Sequence, residues 1–228
     1  MEKSIGLELR FAGKYDAVIC LDADFPSKEF FLKMANVPLL AADGAAIRLY
    51  ELGIDADYII GDLDTFYKSG LQKKFDKNKL IFEPSQDSND FEKALNFSIG
   101  KNYFNLLIIG FHGGELEHTL NNWSVLQKYS GKLNLCVYDK SRYIIPIHHS
   151  SFETKLLIDE LVSLIPMPKA LLITKGFQWD LNSEWLEIGI REGARNKALE
   201  CEISIEIIEG AILFIINERL PFAPIFHY

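Results

Sequence analysis

Short apolar runs alternate with longer helical patterns up to about residue 145, and this alternation limits the fold more than any other feature of the sequence. The strand-like runs are, in chain order, DAVICL, VPLLAA, ADYIIG, LIF, NLLIIG and LNLCVY. Unbroken apolar runs of this length suit strands that are covered on both faces, and interleaved helices favour parallel strands with right-handed crossovers. This part of the chain is therefore expected to form an α/β domain with a mainly parallel, Rossmann-like sheet.

The pattern changes after Pro146. The apolar runs that follow are FETKLLI, LVSLIP, ALLITKG, EWLEIGI, ECEISIEII and AILFII, and turn residues separate them. From Glu202 to Ile207, polar residues alternate with Ile at a period of two, which is typical of a strand with one wet face. We therefore expect two domains, an α/β domain at residues 1–145 and an all-β, sandwich-like domain at residues 146–228.

The charge balance and the apolar stretches exclude several classes of protein. The formal net charge is −8, which argues against a protein that binds nucleic acid mainly through phosphates, since that binding requires clustered Lys and Arg. The longest apolar stretches fall far short of the roughly 20 residues that a membrane span needs. The N-terminus MEKSIGLELRF has no apolar signal core. These features predict a cytoplasmic protein without nucleic-acid or membrane partners, whose three cysteines, Cys20, Cys136 and Cys201, are buried free thiols.

Acidic residues recur where the predicted strands end. They are Asp22, Asp24, Asp43, Asp62, Asp64, Asp87 and Asp90. Ligands of an open parallel sheet collect at the carboxyl ends of its strands, so these acids indicate the site. The sequence contains no GxxxxGK[ST], GxGxxG, HExxH or GxSxG motif, which leaves carboxylate-held metal chemistry as the favoured class. A phosphate donor would be bound through Mg²⁺, because carboxylates cannot bind it directly.

Two short acidic motifs each allow a structural interpretation beside the functional one. In GDLD, Asp62 and Asp64 can direct both carboxylates to one side of a strand end, as Mg²⁺ requires, or Asp62 can cap a turn while Asp64 is solvated. In DSND, a helical stripe follows at once, so Asp87 or Asn89 can be an N-cap and Asp90 an acid that favours the helix dipole. The residues alone leave both interpretations open.

Glycines next to predicted strand ends indicate close approach of a ligand to the backbone. Asp43–Gly44 lies between a strand and the predicted helix 45–52, where a glycine lets a phosphate come near. In FHGGELEHT, Gly113 and Gly114 can form a phosphate-cradling turn or a plain tight turn. Glu117 and His118 would face that loop from the first turn of the next helix.

Three sequence blocks carry a resemblance to a known family. LLAADGAAIRLYELGIDADYIIGDLDTF, SQDSNDFEKAL and GFHGGELEHTLNN resemble, in order and spacing, the signature blocks of the thiamin pyrophosphokinases. KGFQWDLN and the EIGI and ARN segments after it are similar to the family's C-terminal β-domain. The resemblance implies an Mg²⁺-dependent, kinase-type transferase that moves pyrophosphate from ATP to the thiamin hydroxyl and releases AMP. It also implies a homodimer that holds thiamin between the α/β domain of one subunit and the β-domain of the other.

The resemblance further implies roles for individual residues. Asp62, Asp64 and Asp90 would hold Mg²⁺, with Asp87 beside them as a fourth catalytic acid. The nucleotide and phosphate path would be lined by Asp43, Gly44, Ser88, Gly113, Gly114 and His118. Glu117 and Asn196 would bind substrate, and Asn196 would lie near thiamin. Any acid near the thiamin hydroxyl could serve as the general base.

Several positions depart from the family pattern. Ala45 and Ile47 replace a Gly and an Asn of the first block, and Arg195 replaces a Ser near the C-terminal Asn. In the third block, Glu115 replaces an Arg and Glu117 an Asp. A Glu in place of an Arg reverses a charge near the polyphosphate, and Arg195, Lys175 or Arg142 could supply the positive charge instead. Two alternative functions follow, a thiamin or nucleotide binder without turnover and a pyrophosphokinase for another acceptor alcohol.

Overall fold

The computed structural model describes residues 7–148 and 150–227. The chain divides into two compact units. Tyr15–Lys140 forms the first, here called the parallel unit, and the segments on either side of it form the second, here called the β unit.

The strands and helices are numbered in chain order. The strands are β1 (Leu7–Gly13), β2 (Ala17–Cys20), β3 (Leu39–Ala42), β4 (Tyr58–Gly61), β5 (Leu80–Phe82), β6 (Asn105–Ile109), β7 (Asn134–Asp139), β8 (Arg142–His148), β9 (Ser151–Lys155), β10 (Leu161–Lys175), β11 (Asn182–Glu187), β12 (Gly193–Lys197), β13 (Glu202–Asn217) and β14 (Ala223–His227). The α-helices are α1 (Lys28–Lys33), α2 (Ala45–Glu51), α3 (Asp64–Lys68), α4 (Asp90–Gly100) and α5 (Leu116–Tyr129). Two 3₁₀ turns, Gln72–Lys74 and Lys77–Lys79, lie between α3 and β5.

The parallel unit contains β2 to β7 in the spatial order β7-β6-β2-β3-β4-β5. Every pairing between these neighbours is parallel. All residues of β2 and β3 are buried, as expected where side chains are covered on both faces of a sheet. The strand order reverses between β6 and β2, because β3, β4 and β5 follow on one side of β2 whereas β6 and β7 lie on its other side. The loops after β2 and β6 therefore lead to opposite sides of the sheet and leave a crevice at the carboxyl ends of these strands. A ligand site is expected at such a point of an α/β sheet.

The β unit contains β1 and β8 to β14. Its longest pairing joins β10 to β13 in antiparallel fashion, from Ser163 opposite Ile215 to Lys175 opposite Ser204. Along β13, Ile203, Ile205 and Ile207 are buried whereas the residues between them are at least partly exposed. This confirms the alternation that the sequence predicts. Between residues 150 and 227 the structure contains no helix.

The coarse expectation for the fold is confirmed, because the chain combines parallel and antiparallel pairs and its C-terminal part is largely β. The observed division differs from the expected boundaries of 1–145 and 146–228. β1 pairs in parallel with β9 and antiparallel with β14, so the start of the described chain belongs with the β unit. Such pairing between distant segments leaves no local signal in the sequence.

Two further expectations can be compared with the structure. Cys20 and Cys136 are buried in β2 and β7, as expected. The expectation was wrong for Cys201, which is exposed because it lies in a bend before β13 rather than in a strand. No helix among residues 7–148 and 150–227 is long and apolar enough to cross a membrane.

Candidate active site

A cleft of about 510 Å³ opens in the parallel unit, at the carboxyl ends of β2, β3, β4 and β6. Seven of the predicted site residues line it, namely Asp43, Gly44, Asp62, Ser88, Asp90, Gly114 and His118. Asp64, Asp87, Gly113 and Glu117 belong to the same loops and helix starts but are not among the lining residues. Asn196 lies in the β unit and is described separately below.

Asp43 organises the entrance to α3. Its side chain is buried, and its two carboxylate oxygens accept hydrogen bonds from the backbone amides of Thr65 at 3.0 Å and Phe66 at 3.1 Å. These amides belong to the first turn of α3 and have no partner within the helix. Asp43 itself has a φ of 38°, a left-handed conformation that aspartate tolerates better than most residues. Asp43, for which the resemblance implies a place on the phosphate path, holds a cleft wall in position.

Asp62 caps the turn that follows β4. Its Oδ1 accepts a hydrogen bond from the amide of Asp64 at 3.2 Å, and its Oδ2 accepts one from Gln86 Nε2 at 2.9 Å. The Gln86 bond and, after it, the Asp64 amide lower the pKa of Asp62. Asp64 turns outward, with a side chain that is 71% exposed and 3.4 Å from Lys68 Nζ. The structural interpretation of GDLD is thus correct, while Asp62 still faces the cleft.

Lys93, a residue that the sequence interpretation missed, contacts two of the cleft acids. Its ammonium lies 3.1 Å from Asp90 Oδ1 and 3.8 Å from Asp62 Oδ2, although its side chain is only 3% exposed. Burial raises the pKa of Asp90, whereas the hydrogen bond from Lys93 acts in the opposite direction. Lys93 follows Asp90 by three residues on α4, so the two side chains share one face of the helix. Partial neutralisation by Lys93 allows these acids to lie close together.

Asn89 is the N-cap of α4, as one of the two structural interpretations of DSND held. Its side chain accepts a hydrogen bond from the amide of Glu92 at 2.9 Å. Asp90 is the first residue of the helix, and Asp87 is exposed, with its amide donating to Ser85 Oγ at 3.2 Å. Asp90 is therefore presented to the cleft by the helix start, whereas Asp87 lies on the surface beside it.

The glycines of the site are required because other loops approach them closely. A Cβ atom on Gly44 would lie 2.2 Å from Asp22 Oδ2. Gly113 has a φ of 98°, and a Cβ atom there would lie 2.1 Å from the carboxylate carbon of Asp24. The amide of Asp24 also donates to the carbonyl of His112 at 2.8 Å. The loops after β2 and β6 are thus packed directly against each other at one wall of the cleft.

The first turn of α5 carries three polar side chains at the rim. Glu115 and His118 line the cleft, and their carboxylate and imidazole lie 3.4 Å apart. Both are largely exposed, and so is Glu117. The charge reversal at Glu115 therefore lies on the cleft wall itself.

Asn196 is buried in the β unit and holds the turn at Trp179. Its Oδ1 accepts hydrogen bonds from the amides of Trp179 at 3.2 Å and Lys197 at 2.8 Å, and its Nδ2 donates to the carbonyl of Trp179 at 2.8 Å. The indole of Trp179 is exposed. Asn196 thus fixes the backbone from which an aromatic ring projects.

Neither Arg142 nor Arg195 is a cleft residue. Arg142 donates through Nη2 to the backbone carbonyls of Leu161 and Ile215, within the β unit. Arg195 has a φ of 58°, and its amide donates to Ser163 Oγ. The cleft obtains its positive charge from the parallel unit instead, through Arg48 and Lys93.

The donor atoms of the cleft suit a hard dication in type. Asp22 and Asp62 are partly exposed carboxylates on its wall, and Mg²⁺ commonly uses one or two carboxylates together with waters and substrate phosphates. Among residues 7–148 and 150–227, no group of three or more His, Cys, Asp or Glu side chains is gathered as a metal site. Asp62, Asp64 and Asp90 are not brought together as three ligands, because Lys93 contacts two of them and Asp64 turns outward.

Among the cleft residues that were not predicted from the sequence, three contact the acids of the cleft through their side chains. Lys93 had one available signal, its spacing of three residues from Asp90 on a predicted helix. Arg48 follows Gly44 by four residues, which places it over the same helix start. Gln86 had no local signal, because its bond to Asp62 joins residues 24 positions apart.

Comparison with known proteins supports the resemblance seen in the sequence. Residues 32–137 match the family model described as thiamin pyrophosphokinase, catalytic domain. The resemblance to the thiamin pyrophosphokinase family is confirmed. The matched range contains every cleft-lining residue except Leu21, Asp22 and Ala23.

Individual thiamin pyrophosphokinases are similar over different shares of the chain. "Thiamine pyrophosphokinase 1" of rice is 28% identical over 149 residues, which are 58% of this chain and 55% of the rice protein. The match thus spans little more than half of that relative. "Thiamine pyrophosphokinase" of Bacillus subtilis is 21% identical over 77% of this chain and 85% of its own length. The crystal structure of the yeast enzyme superimposes with a TM-score of 0.72 at 20% identity, over 90% of this chain and 86% of that one, which shows a shared fold.

Proposed function

We propose that this protein is a thiamin pyrophosphokinase, which transfers the pyrophosphoryl group of ATP to the hydroxyl of thiamin and gives thiamin diphosphate and AMP. The observation that carries the proposal is the acid-lined cleft at the strand ends, since nearly all of it lies in the stretch that matches the catalytic-domain family. The names of the rice and Bacillus subtilis relatives point to the same reaction.

In the proposed reaction the hydroxyl oxygen of thiamin attacks the β-phosphorus of ATP. The bond from that phosphorus to the oxygen bridging to the α-phosphate breaks, AMP leaves, and the hydroxyl proton passes to a basic group. Such transfer depends mainly on positioning the reactants and on neutralising charge, so the protein must orient the triphosphate and the alcohol. Bound Mg²⁺ would neutralise charge on the phosphates.

From the resemblance we propose Asp62, Asp64 and Asp90 as the residues that hold Mg²⁺, with Asp87 beside them. Asp64 points to solvent in the structure, so its side chain would have to turn toward the cleft to join Asp62 and Asp90. Asp43, Gly44, Ser88, Gly113, Gly114 and His118 are proposed to line the path of the nucleotide. Lys93 would keep Asp62 and Asp90 together before substrate arrives, since it contacts both. Asp43 would act partly through α3, whose first amides it binds.

The thiamin side and the assembly are proposed from the resemblance. Asn196 would act near thiamin, and the turn that it holds at the exposed Trp179 supports this role. Glu117 would contact substrate from α5. A homodimer of the 26.0 kDa chain is expected, and light scattering at micromolar concentration checks it, because a monomer mass would contradict that assembly.

The finer features of the fold and the location are proposed on the same basis. We propose that the parallel unit is Rossmann-like and that the β unit is sandwich-like. We propose a cytoplasmic protein that does not bind nucleic acid, and the acidic sequence supports the second part of this proposal.

A second candidate is a binder of thiamin or nucleotide without turnover, and Glu115 is the observation that favours it. A carboxylate on the cleft wall repels a polyphosphate, whereas transfer requires that the polyphosphate be held. A pyrophosphokinase for another acceptor alcohol is the third candidate.

Product analysis distinguishes these candidates. The purified protein is incubated with ATP, Mg²⁺ and thiamin, and AMP and thiamin diphosphate are separated by chromatography. Both products in equal amounts support the proposal. Ligand-dependent stabilisation without product indicates a binder, and product from another heterocyclic alcohol but not from thiamin indicates a different acceptor.

A further inference from the structure

The cleft carries more negative than positive charge, although its proposed substrate is a polyanion. Among the described residues, five acids line it, namely Asp22, Asp43, Asp62, Asp90 and Glu115. The lysines and arginines that line it in the described chain are Arg48 and Lys93. Binding of a triphosphate therefore depends strongly on which of these two cations can reach it.

Lys93 is already engaged. Its ammonium contacts both Asp90 and Asp62, and its side chain is nearly completely buried. Contact with a phosphate would compete with these two carboxylates. His118 is likewise next to a carboxylate, that of Glu115.

Arg48 differs from Lys93 in how its charge is held. Its Nε forms an ion pair with Asp22 Oδ1, and its side chain is 49% exposed. In the described part of the chain, no hydrogen bond or ion pair reaches either Nη nitrogen. A guanidinium held at Nε presents its remaining N–H groups as a planar fork, which matches two oxygens of a phosphate.

Gly44 makes this arrangement possible. Asp22 Oδ2 lies 2.2 Å from the position that a Cβ atom of residue 44 would take, which is too close for both atoms to be present. Asp22 is thereby seated over the start of α2, and Arg48 lies one helical turn further along the same helix. The absence of a side chain at residue 44 thus allows the carboxylate to reach Arg48.

We infer that Arg48, oriented by Asp22, is the residue that binds the polyphosphate of the nucleotide in this protein. The inference rests on the proposed function for the identity of the ligand and adds a residue to which no role was assigned. Arg48 makes the phosphate contact and Asp22 is a positioning residue. The arrangement provides cationic recognition on a wall that also carries Glu115.

The test compares ligands with and without phosphate. Binding of ATP, inorganic pyrophosphate and adenosine, each with Mg²⁺, is measured by calorimetry for the wild-type protein, Arg48→Ala and Arg48→Lys. We expect Arg48→Ala to weaken ATP and pyrophosphate at least tenfold and to leave adenosine unchanged, because adenosine has no phosphate for the fork. The affinities of Arg48→Lys for ATP and pyrophosphate should lie between those of the wild type and Arg48→Ala, since an ammonium cannot form the paired contact.

Arg10→Ala is the matched control. Arg10 is also about half exposed and paired with a single carboxylate, that of Glu8, but it lies in the β unit. The affinities of Arg10→Ala for ATP, pyrophosphate and adenosine should equal those of the wild type. In the product assay, Arg48→Ala should raise the KM for ATP at least tenfold without changing the KM for thiamin.

The outcomes separate this inference from the proposed function. If the wild type forms thiamin diphosphate and Arg48→Ala keeps the wild-type affinity and KM for ATP, the inference is wrong and the function stands. If the phosphate-dependent loss is seen but thiamin diphosphate is never formed, the inference stands and the function is wrong. Equal weakening of adenosine and ATP, or a wild type that binds neither ATP nor pyrophosphate, overturns the inference.

Discussion

Lys93 Nζ lies 3.1 Å from Asp90 Oδ1, and the lysine is almost completely buried where it makes this contact. A buried ammonium is unfavourable unless it is paired, and Asp90 with Asp62 supplies the pairing. The charges of Asp43 and Asp62 act to raise the pKa of Asp90, after its burial, and the charge of Lys93 opposes them. The charge balance of the cleft therefore depends on a residue that points inward from α4.

Replacing Lys93 by Met tests this dependence. Methionine has a similar length but no charge, so Asp90 and Asp62 would lose their common counter-charge. We expect the free energy of unfolding to fall by about 1–3 kcal/mol, below the value for a fully buried pair, because the Asp90 side chain is partly exposed. Urea denaturation at pH 7 measures the change.

Lys128→Met serves as the control for the loss of a lysine. Lys128 pairs with Glu92; the lysine side chain is 59% exposed, and Glu92, although only 13% exposed, keeps a hydrogen bond from Tyr129 when the lysine is lost. Exposed pairs contribute about 0–1 kcal/mol, so this variant should lose clearly less stability than Lys93→Met. Equal losses would show that the buried position of Lys93 has no special effect.

Asp62→Asn tests the proposed metal ligand. The amide oxygen of Asn can still accept the hydrogen bond from the backbone of Asp64, so the turn should persist. The negative charge is lost, and kcat should fall by a factor on the order of 10² or more. Initial rates of AMP formation at saturating ATP and Mg²⁺ measure the effect.

Asp55→Asn is the control for Asp62→Asn, because Asp55 lies before strand β4 and Asp62 lies after it. Asp55 precedes β4, is mostly exposed and pairs with Lys79 away from the cleft. Its turnover should equal that of the wild type. Wild-type turnover of Asp62→Asn would remove Asp62 from the metal site.

The strands of the parallel unit could be predicted because their signal is local. The apolar runs that became β2, β3 and β6 are each buried nearly throughout, so their composition alone marks them. The positions of Asp62 and Asp90 beside the cleft followed from the same rule, since both come after strands or at helix starts. Burial and chain direction were sufficient for these features.

Other parts of the site depend on contacts that the sequence does not encode locally. A lysine near acids is usually solvated, so only the structure shows that Lys93 turns inward. Gln86 follows β5 and binds Asp62, which follows the neighbouring strand β4, and β1 pairs with β9 and β14, which are both distant in the chain. One of the two interpretations of GDLD placed Asp64 on the same side as Asp62, but the short helix α3 begins at Asp64 and turns its carboxylate to solvent.

Glu92→Gln should show a defined dependence on pH. The hydrogen bond from Lys128 lowers the pKa of Glu92, and that from Tyr129 adds to the effect. A carboxyl whose pKa is lowered in the folded state contributes stability above its unfolded pKa of about 4.3 and loses it as the pH falls through the lower native pKa. The variant should therefore be about 1 kcal/mol less stable than the wild type at pH 7.

Urea denaturation from pH 7 to pH 3 measures this dependence. The difference between Glu92→Gln and the wild type should shrink progressively below about pH 4.3. Glu206→Gln, at an exposed position of β13, should show a much smaller difference throughout. A gap for Glu92→Gln that stays constant with pH would show that its charge does not contribute.

Gly44→Ala should separate the function of the cleft from the stability of the chain. Gly44 has a φ of −59°, which alanine adopts readily, so the backbone itself does not oppose the change. The new Cβ atom would instead meet Asp22 Oδ2 and force that side chain to turn away from Arg48. We expect the melting temperature to change little and the KM for ATP to rise severalfold.

Gly100→Ala provides the comparison, because nothing lies within 4 Å of its Cβ position and it is at the end of α4. That variant should keep the wild-type KM and gain about 0.4–1 kcal/mol of stability. A Gly44→Ala protein with unchanged KM for ATP would show that the position of Asp22 does not control nucleotide binding.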